Sequence, residues 1–320
     1  MKHILLIVPR FFSYEKYIKN ELENMGFKVN MVYENVNEFS YLSKILIKII
    51  GDKKKYFDRY YSRKTKGNKF DYVLVIRGSF LSVEALRNLK QASPKAKFYM
   101  YQWDSASNNP NAKEISPYFD KISTFDIDDS KKFGWFYRPL FYLESSNRST
   151  KREYDISFIG TLHSQRVKIF QKIKKIEAKK YLFIYSKASH FIKEKYINHN
   201  SDFRGVSYRD LSFKSLPLEE TNKILSKSHM VIDYTHPAQT GFTMRTCEAI
   251  GHKCKLVTNN ARVIDADFYD KNNVYVYNIE DFQIPKSFID SPYHEIPQEI
   301  LQNYSITNWL KDVINYEQIN

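Results

Sequence analysis

The chain has 320 residues, 42% of them hydrophobic and 16% aromatic, which excludes a disordered chain and is enough for two ordinary cores. Two cysteines, Cys247 and Cys254, exclude a disulfide framework, and no C-x-x-C or His/Cys cluster suggests zinc, so a reduced, cytoplasmic setting is expected. The formal charge of +14 invites anionic partners.

That charge is uneven. Between Lys44 and Lys69 lie ten Lys/Arg against Asp52 and Asp58, a local excess of eight. The window reads either as a solvated basic loop or as a basic, aromatic-studded surface for anionic lipid headgroups. Nucleic acid is not expected as the partner, because no helix-turn-helix, RNA-recognition or zinc-finger pattern accompanies the charge. The apolar run in MKHILLIVPRFF is too short for a signal-peptide core. No window approaches the ~20 apolar residues of a membrane span, so the expectation is a soluble or at most peripheral protein.

In chain order, HILLIV is a continuous apolar run, as for a strand buried on both faces. EKYIKNELENMGF carries Tyr17, Ile18, Leu22 and Met25 at helical spacing, with Gly26 as the stop. KVNMVYE reads as a second strand. Beyond the basic window come the strand DYVLVIRG, the helix SVEALRNLKQA with Ser82 as N-cap, and the strands KFYMYQWD and KISTFDID. Around Trp135 to Ser149 the periodicity breaks, as in a linker. The alternation resumes with YDISFIG, the helix SQRVKIFQKIKKIE and the strand YLFIYS. PLEETNKILSKS is a helix beginning at Pro217, followed by the strand HMVIDYT. A short helix, the strands KLVTNN and VYVYN, and a terminal helix, SITNWLKDVINYEQ, complete the chain. Alternating strands and helices predict parallel sheets in two βα halves, with ligand expected at the strands' C-terminal ends.

The richest local chemistry lies in QTGFTMRTCEAIG. Gln239, Thr240, Gly241, Phe242 and Thr243 follow a strand and precede a helix, where unpaired N–H groups and the helix dipole favour phosphate. Gly241 would let backbone approach a ligand, Thr240 and Thr243 would cap the helix or donate to the ligand, and Arg245 would neutralise a diphosphate. Glu248, a turn and a half deeper, suits a sugar hydroxyl. The competing reading is a plain Thr243 N-cap, a solvated Arg245 and a Glu248 paired with a neighbour.

The segment HMVIDYTHPAQTGFTMRTCEAIGHKCKLVTNN resembles the donor-site segment of GT-B-type glycosyltransferases, and more narrowly that of bacterial capsule and lipopolysaccharide biosynthesis proteins. The residues that carry the likeness are Asp233, His236, Pro237, Gln239, Gly241, Thr243, Arg245 and Glu248. YQWDS, the element from Phe119 to Asp126, and YRPLF at Tyr137 to Phe141 are similar to the same group. The resemblance implies two Rossmann-like α/β domains facing a cleft. Residues 1–145 would bind acceptor, 146–300 would bind a nucleotide sugar, and a helix in 301–320 would pack back on the first domain.

It further implies that Glu248 holds the ribose, and that Gly160 and Thr161, in FIGTLHSQR, approach the diphosphate with Arg166 adding charge. His163 in that loop is either a contact to the ligand or solvent-exposed. Lys187 after YLFIYS would face phosphate, and Lys214 with Leu216 would sit beside the base. Thr240 stands where retaining families often carry a second glutamate, which leaves the stereochemistry open. For the acceptor's proton the expected base is Asp104, at the end of KFYMYQW, against the reading of a turn aspartate in WDSASNNP. Arg10 and Arg77, which also follow strands, are expected to bind an anionic acceptor or the donor phosphate.

The resulting expectation is a metal-independent glycosyltransferase of hexosyltransferase type. It would move a sugar from a nucleotide diphosphate to a glycan or lipid-linked glycan, at the inner face of the cell membrane. No metal or other cofactor is expected. Asp126 and Asp128 form a D-x-D, the pattern by which GT-A enzymes hold a divalent metal, and give a metal-dependent alternative. A non-catalytic two-domain sensor of nucleotide or sugar is the other.

Overall fold

A computed structural model describes residues 1–34, 53–144, 151–162 and 165–316. The chain divides into two compact units, one of Met1–Leu140 with the C-terminal segment from Ile306, the other of Phe141–Ser305. His163 and residues 44–52 of the basic window lie outside the described residues.

The first unit is built on a parallel sheet of order β2-β1-β3-β4-β5-β6. Strand β1 (His3–Val8) is buried from Ile4 onward, which is why it reads as an unbroken apolar run. Helix α1 (Tyr14–Asn24) buries Tyr14, Ile18 and Leu22 at four-residue spacing, and Gly26 follows it at a φ of 88°. After β2 (Lys28–Tyr33), helix α2 (Lys53–Thr65) turns Phe57 and Tyr61 into the core, while Lys55, Arg59, Arg63 and Lys64 stay exposed. The aromatic residues of the basic window are therefore packing groups, and the face left to solvent is cationic.

Strand β3 (Tyr72–Ile76) leads to α3 (Val83–Ala92), whose N-cap Ser82 accepts the Ala85 N–H at 2.9 Å. Then come β4 (Lys97–Gln102), α4 (Asn111–Ile115), β5 (Lys121–Thr124), α5 (Ile127–Phe133) and the edge strand β6 (Phe136–Tyr137).

Two local expectations change here. KISTFDID is a strand only to Thr124, because Asp126 accepts the N–H groups of Asp128 and Asp129 and starts α5. The stretch after Trp135 is not a loose linker throughout. Phe136–Tyr137 pairs with β5, and Leu140, Phe141, Tyr142 and Leu143 are buried apolar residues.

The second unit carries a parallel sheet of order β11-β10-β9-β7-β8. Its elements are β7 (Tyr154–Thr161), α6 (Arg166–Lys174), β8 (Lys180–Tyr185), α7 (Ala188–Ile192), α8 (Leu218–Ser226) and β9 (Ser228–Ile232). They continue with α9 (Met244–Gly251), β10 (Lys255–Thr258), β11 (Val274–Val276), α10 (Lys286–Asp290) and α11 (Gln298–Asn303). Between α7 and α8 the chain makes short π and 3₁₀ turns around Phe191, Phe203 and Val206. Helix α12 (Ile306–Val313) belongs to the first unit and packs on α1, β4 and β5. Its Trp309 meets the Tyr101 ring edge-on at 4.7 Å, and its Asp312 pairs with Arg138 at 2.8 Å.

Strand order reverses between β1 and β3 in the first unit and between β7 and β9 in the second. In open parallel sheets ligands bind beyond the carboxyl ends of the strands at such reversals. The chain therefore offers one such edge in each unit.

Candidate functional site

In the second unit, Gly160 and Thr161 end β7 and Asp233 follows β9, so the reversal lies between them. The first residue of α6, Arg166, crosses both strand ends. Its Nη2 donates to the Tyr234 carbonyl at 3.0 Å and its Nη1 to the Thr161 carbonyl at 3.3 Å. A Cβ on residue 160 would lie 3.0 Å from Arg166 Cδ, so the glycine serves first to let this arginine pass. Arg166 thus fills part of the space beside Gly160, one of the residues expected to approach the diphosphate.

Asp233 is buried and ties three elements together. Its Oδ2 accepts hydroxyl bonds from Thr235 at 3.5 Å, Thr246 at 3.3 Å and Thr258 at 3.4 Å, while its carbonyl accepts from the Tyr277 hydroxyl at 2.8 Å. Burial raises its carboxyl above the ordinary range, opposed mainly by the Arg166 guanidinium and by hydrogen bonds from threonines. In the sequence Asp233 stands only as one residue of a motif. Its role as the hub of the strand ends appears once β9, β10 and α9 are assembled.

Helix α9 begins as its sequence predicts. Thr243 is the N-cap and accepts the Thr246 N–H at 3.1 Å. Arg245 Nη1 lies 2.6 Å from Glu248 Oε2, with Glu248 only 2% exposed. Glu248 thus pairs with a neighbour, as the competing reading expects, and that neighbour is Arg245. Arg245 keeps a buried Nε with no hydrogen-bond partner. Phe242 is buried and meets Phe268 edge-on at 5.5 Å, a packing role. Asn260 donates to the Gly241 carbonyl at 3.1 Å and holds the loop before the helix. His236, Gln239 and Thr240 form the turn leading into that loop, with the Gln239 N–H on the His236 carbonyl at 2.9 Å.

Lys187 is exposed at the end of β8, the strand next to β7. Ser212 adds to the same end, its N–H on the Ile184 carbonyl at 2.8 Å, which carries exposed Lys214 and half-buried Leu216 alongside β8. Gly160, Thr161, Arg166, Thr243, Arg245 and Glu248 thus cluster around the β7–β9 reversal. Lys187, Lys214 and Leu216 lie on its β8 side.

In the first unit the reversal places the ends of β1 and β3 side by side. Arg10 follows β1 and sits over the Tyr33 ring at 4.2 Å. Arg77 follows β3 with a left-handed φ of 72°, and its Nε is 3.0 Å from Asp104 Oδ2 at the end of the adjacent β4. The Arg77 carbonyl accepts from Gln102 Nε2 and Asn109 Nδ2, each at 2.7 Å. Fully buried Glu34 accepts the Ser79 N–H at 2.7 Å and the Gly78 N–H at 3.2 Å. Burial pushes its carboxyl up to about 7, against the pull of Arg77 and those two N–H groups.

Burial likewise raises the Asp104 carboxyl, with Arg77 opposing. Glu34, Gln102 and Asn109 were missed from sequence, since the contacts that define them come from separate strands. Asp126 spends its side chain capping α5, and the described residues contain no group of three or more His, Cys, Asp or Glu that could hold a metal ion.

No family model matches the chain, and no curated protein matches its sequence. Among solved structures it is similar to Anabaena Alr3699/HepE in complex with UDP and glucose, with a TM-score of 0.56 and 9% identity over 98% of this chain and 99% of that one. It is similar to sucrose-phosphate synthase (tll1590) from Thermosynechococcus elongatus, with a TM-score of 0.53 and 8% identity over 98% and 94%. The DNA-modifying enzyme β-glucosyltransferase, studied with and without uridine diphosphoglucose, matches at a TM-score of 0.51 and 13% identity over 98% and 100%. At these identities the likeness is one of fold: two Rossmann-like parallel-sheet units, as in glycosyltransferases of the GT-B fold.

Proposed function

We propose that the chain is a glycosyltransferase that takes a nucleotide diphosphate sugar at the second unit's strand reversal and an acceptor hydroxyl at the first's. The observation that carries this reading is the pair of polar edges, each at the reversal of its own parallel sheet. The similar structures of HepE with UDP and glucose and of β-glucosyltransferase with uridine diphosphoglucose support a nucleotide sugar as donor. The start of α9, with its unpaired N–H groups and Arg245, stabilises the leaving diphosphate, and Glu248 turns from Arg245 to the ribose. Asp104 takes the proton of the acceptor hydroxyl as its oxygen bonds to the sugar's anomeric carbon. The bond from that carbon to the diphosphate breaks with both electrons leaving on the phosphate oxygen. Burial moves Asp104 in the direction a base needs, toward neutral pH.

The acceptor we infer is a cell-surface glycan of the capsule, lipopolysaccharide or exopolysaccharide type, reached at the cytoplasmic membrane face without a metal. No helix among the described residues is long and apolar enough to cross a membrane. The exposed cations Lys55, Arg59, Arg63 and Lys64 of α2 supply the attraction to anionic lipid.

The reading is tested by thermal shift with UDP, other nucleoside diphosphates and their sugars, followed by transfer assays. A nucleotide at 100 times its dissociation constant should stabilise the protein by about 2.7 kcal/mol. The absence of any nucleotide response refutes the donor site, and transfer that survives Asp104→Asn refutes the base.

A further inference from the structure

The first unit's edge holds aromatic rings that the reaction above leaves unused. Phe11 and Phe12 follow β1 and are 43% and 41% exposed, although phenylalanine is ordinarily buried. Their rings meet edge-on at 4.9 Å, and Phe11 also meets Trp103, which follows β4, at 5.4 Å. Because β3 lies between β1 and β4, this ring pair spans the strand end that carries Arg77.

The turn that presents the rings is held against its own preference. Phe12 and Ser13 take φ values of 48° and 72°, a region that bulky side chains rarely occupy. Buried Glu15 anchors the turn by accepting the Phe11 N–H at 3.1 Å, and the Tyr14 N–H closes on the Phe11 carbonyl at 3.0 Å. Strained backbone kept in place by surrounding bonds is a mark of functional surface.

The polar groups beside the rings are balanced in charge. Arg77 is matched by Asp104, and Arg10 lies over Tyr33. Among the described residues, Asp104 makes no polar contact besides Arg77, and the Nη groups of Arg77 make no hydrogen bond. One guanidinium donor edge and one carboxylate oxygen therefore remain beside an aromatic surface. A pyranose matches that set: its C–H face stacks on an aromatic ring, and neighbouring hydroxyls donate to a carboxylate and accept from a guanidinium. An anionic sugar would meet the Asp104 carboxylate with no unmatched cation in return. Arg10 and Arg77 were expected to bind an anionic acceptor or the donor phosphate, and a neutral acceptor sugar is the third ligand that this edge fits.

We propose that Phe11, Phe12 and Trp103 form a stacking platform for a neutral pyranose of the acceptor, whose hydroxyls bond to Asp104 and Arg77. The proposal rests on the acceptor side of the reading above and leaves the donor side untouched, so the two fail separately.

The full chain is titrated, without nucleotide, with methyl glucoside, methyl galactoside, methyl mannoside and methyl glucuronide. Of the three tryptophans only Trp103 is more than slightly exposed, Trp135 and Trp309 being buried, so intrinsic fluorescence reports this edge. The expected result is a saturable change with at least one neutral glycoside, at least about tenfold weaker with the glucuronide, and weakened by a similar factor in Phe11→Ala. Saturation-transfer NMR on the unaltered protein should label the C–H protons of one ring face most strongly, a readout that does not depend on any variant folding. No saturable response to a neutral glycoside, equal or tighter binding of the glucuronide, or uniform saturation of the sugar protons would overturn the platform. A UDP titration of the same sample reports separately on the donor site.

Discussion

The Arg166 side chain crosses Gly160 so closely that a Cβ on residue 160 would lie 3.0 Å from Arg166 Cδ. The same guanidinium joins the carbonyls of Thr161 and Tyr234, so one side chain clasps β7 to the segment beyond β9 where the sheet order reverses. Gly160→Ala should displace the arginine and loosen both strand ends. We expect a stability loss of about 1–2 kcal/mol by urea denaturation, because the space is already filled. Under the donor reading UDP affinity should fall with it. A variant with unchanged stability and unchanged UDP affinity would show that the clasp has no role.

Arg245 and Glu248 make the second test. Glu248→Ala leaves a largely buried guanidinium without its carboxylate and should cost about 2–4 kcal/mol of stability. Arg245→Ala removes the cation expected to meet the diphosphate and should weaken UDP binding by about tenfold or more. Calorimetric titration of both variants separates the roles. Full UDP affinity in Arg245→Ala would move the phosphate site away from the start of α9.

What the sequence disclosed, and what it hid, follows the range of the forces involved. HILLIV, the Ser82 cap and the Thr243 cap are local features, where burial on both faces or one side chain bonding its own helix start leaves a pattern within a few residues. Arg152 shows the opposite case. Nothing in its local sequence marks it, yet it donates to the carbonyls of Leu225, Ser226, Ser228, His252 and Lys253, groups more than 70 residues away. Glu34 likewise looks like an ordinary acid after a strand, yet it binds the turn at Gly78 and Ser79. The residue types at the α9 edge were legible from spacing. Their mutual pairing, Arg245 with Glu248 and Arg166 over Gly160, was not, because it depends on which strand lies beside which.

Metal dependence can be decided at Asp126. The side chain caps α5 by accepting the Asp128 and Asp129 N–H groups, each at 3.0 Å, and asparagine is an equally good cap. Asp126→Asn should therefore fold normally, changing stability by less than about 0.5 kcal/mol, and retain transfer. Transfer by the unaltered protein should also survive EDTA. A metal held by Asp126 and Asp128 predicts the reverse for both, with activity restored by added divalent ion.

Glu34 should make stability depend on pH in a window its neighbours define. Its carboxyl is pushed up to about 7 by burial, with Arg77 and the N–H groups of Ser79 and Gly78 pulling the other way. Between roughly pH 4.5 and 7 the folded chain keeps a proton that the unfolded chain has lost. Its contribution is thus greatest at low pH and declines as pH rises through the window, by about 3 kcal/mol in total. Glu34→Gln removes the titration but leaves one of the two N–H groups without its carboxylate partner, at a cost of about 1–3 kcal/mol. The variant should therefore be less stable at pH 5, with a flatter profile that approaches or crosses the parent curve above pH 7. Urea midpoints at half-unit intervals from pH 5 to 8 measure both curves. Parallel curves would mean that Glu34 ionises in the folded chain much as it does in the unfolded one.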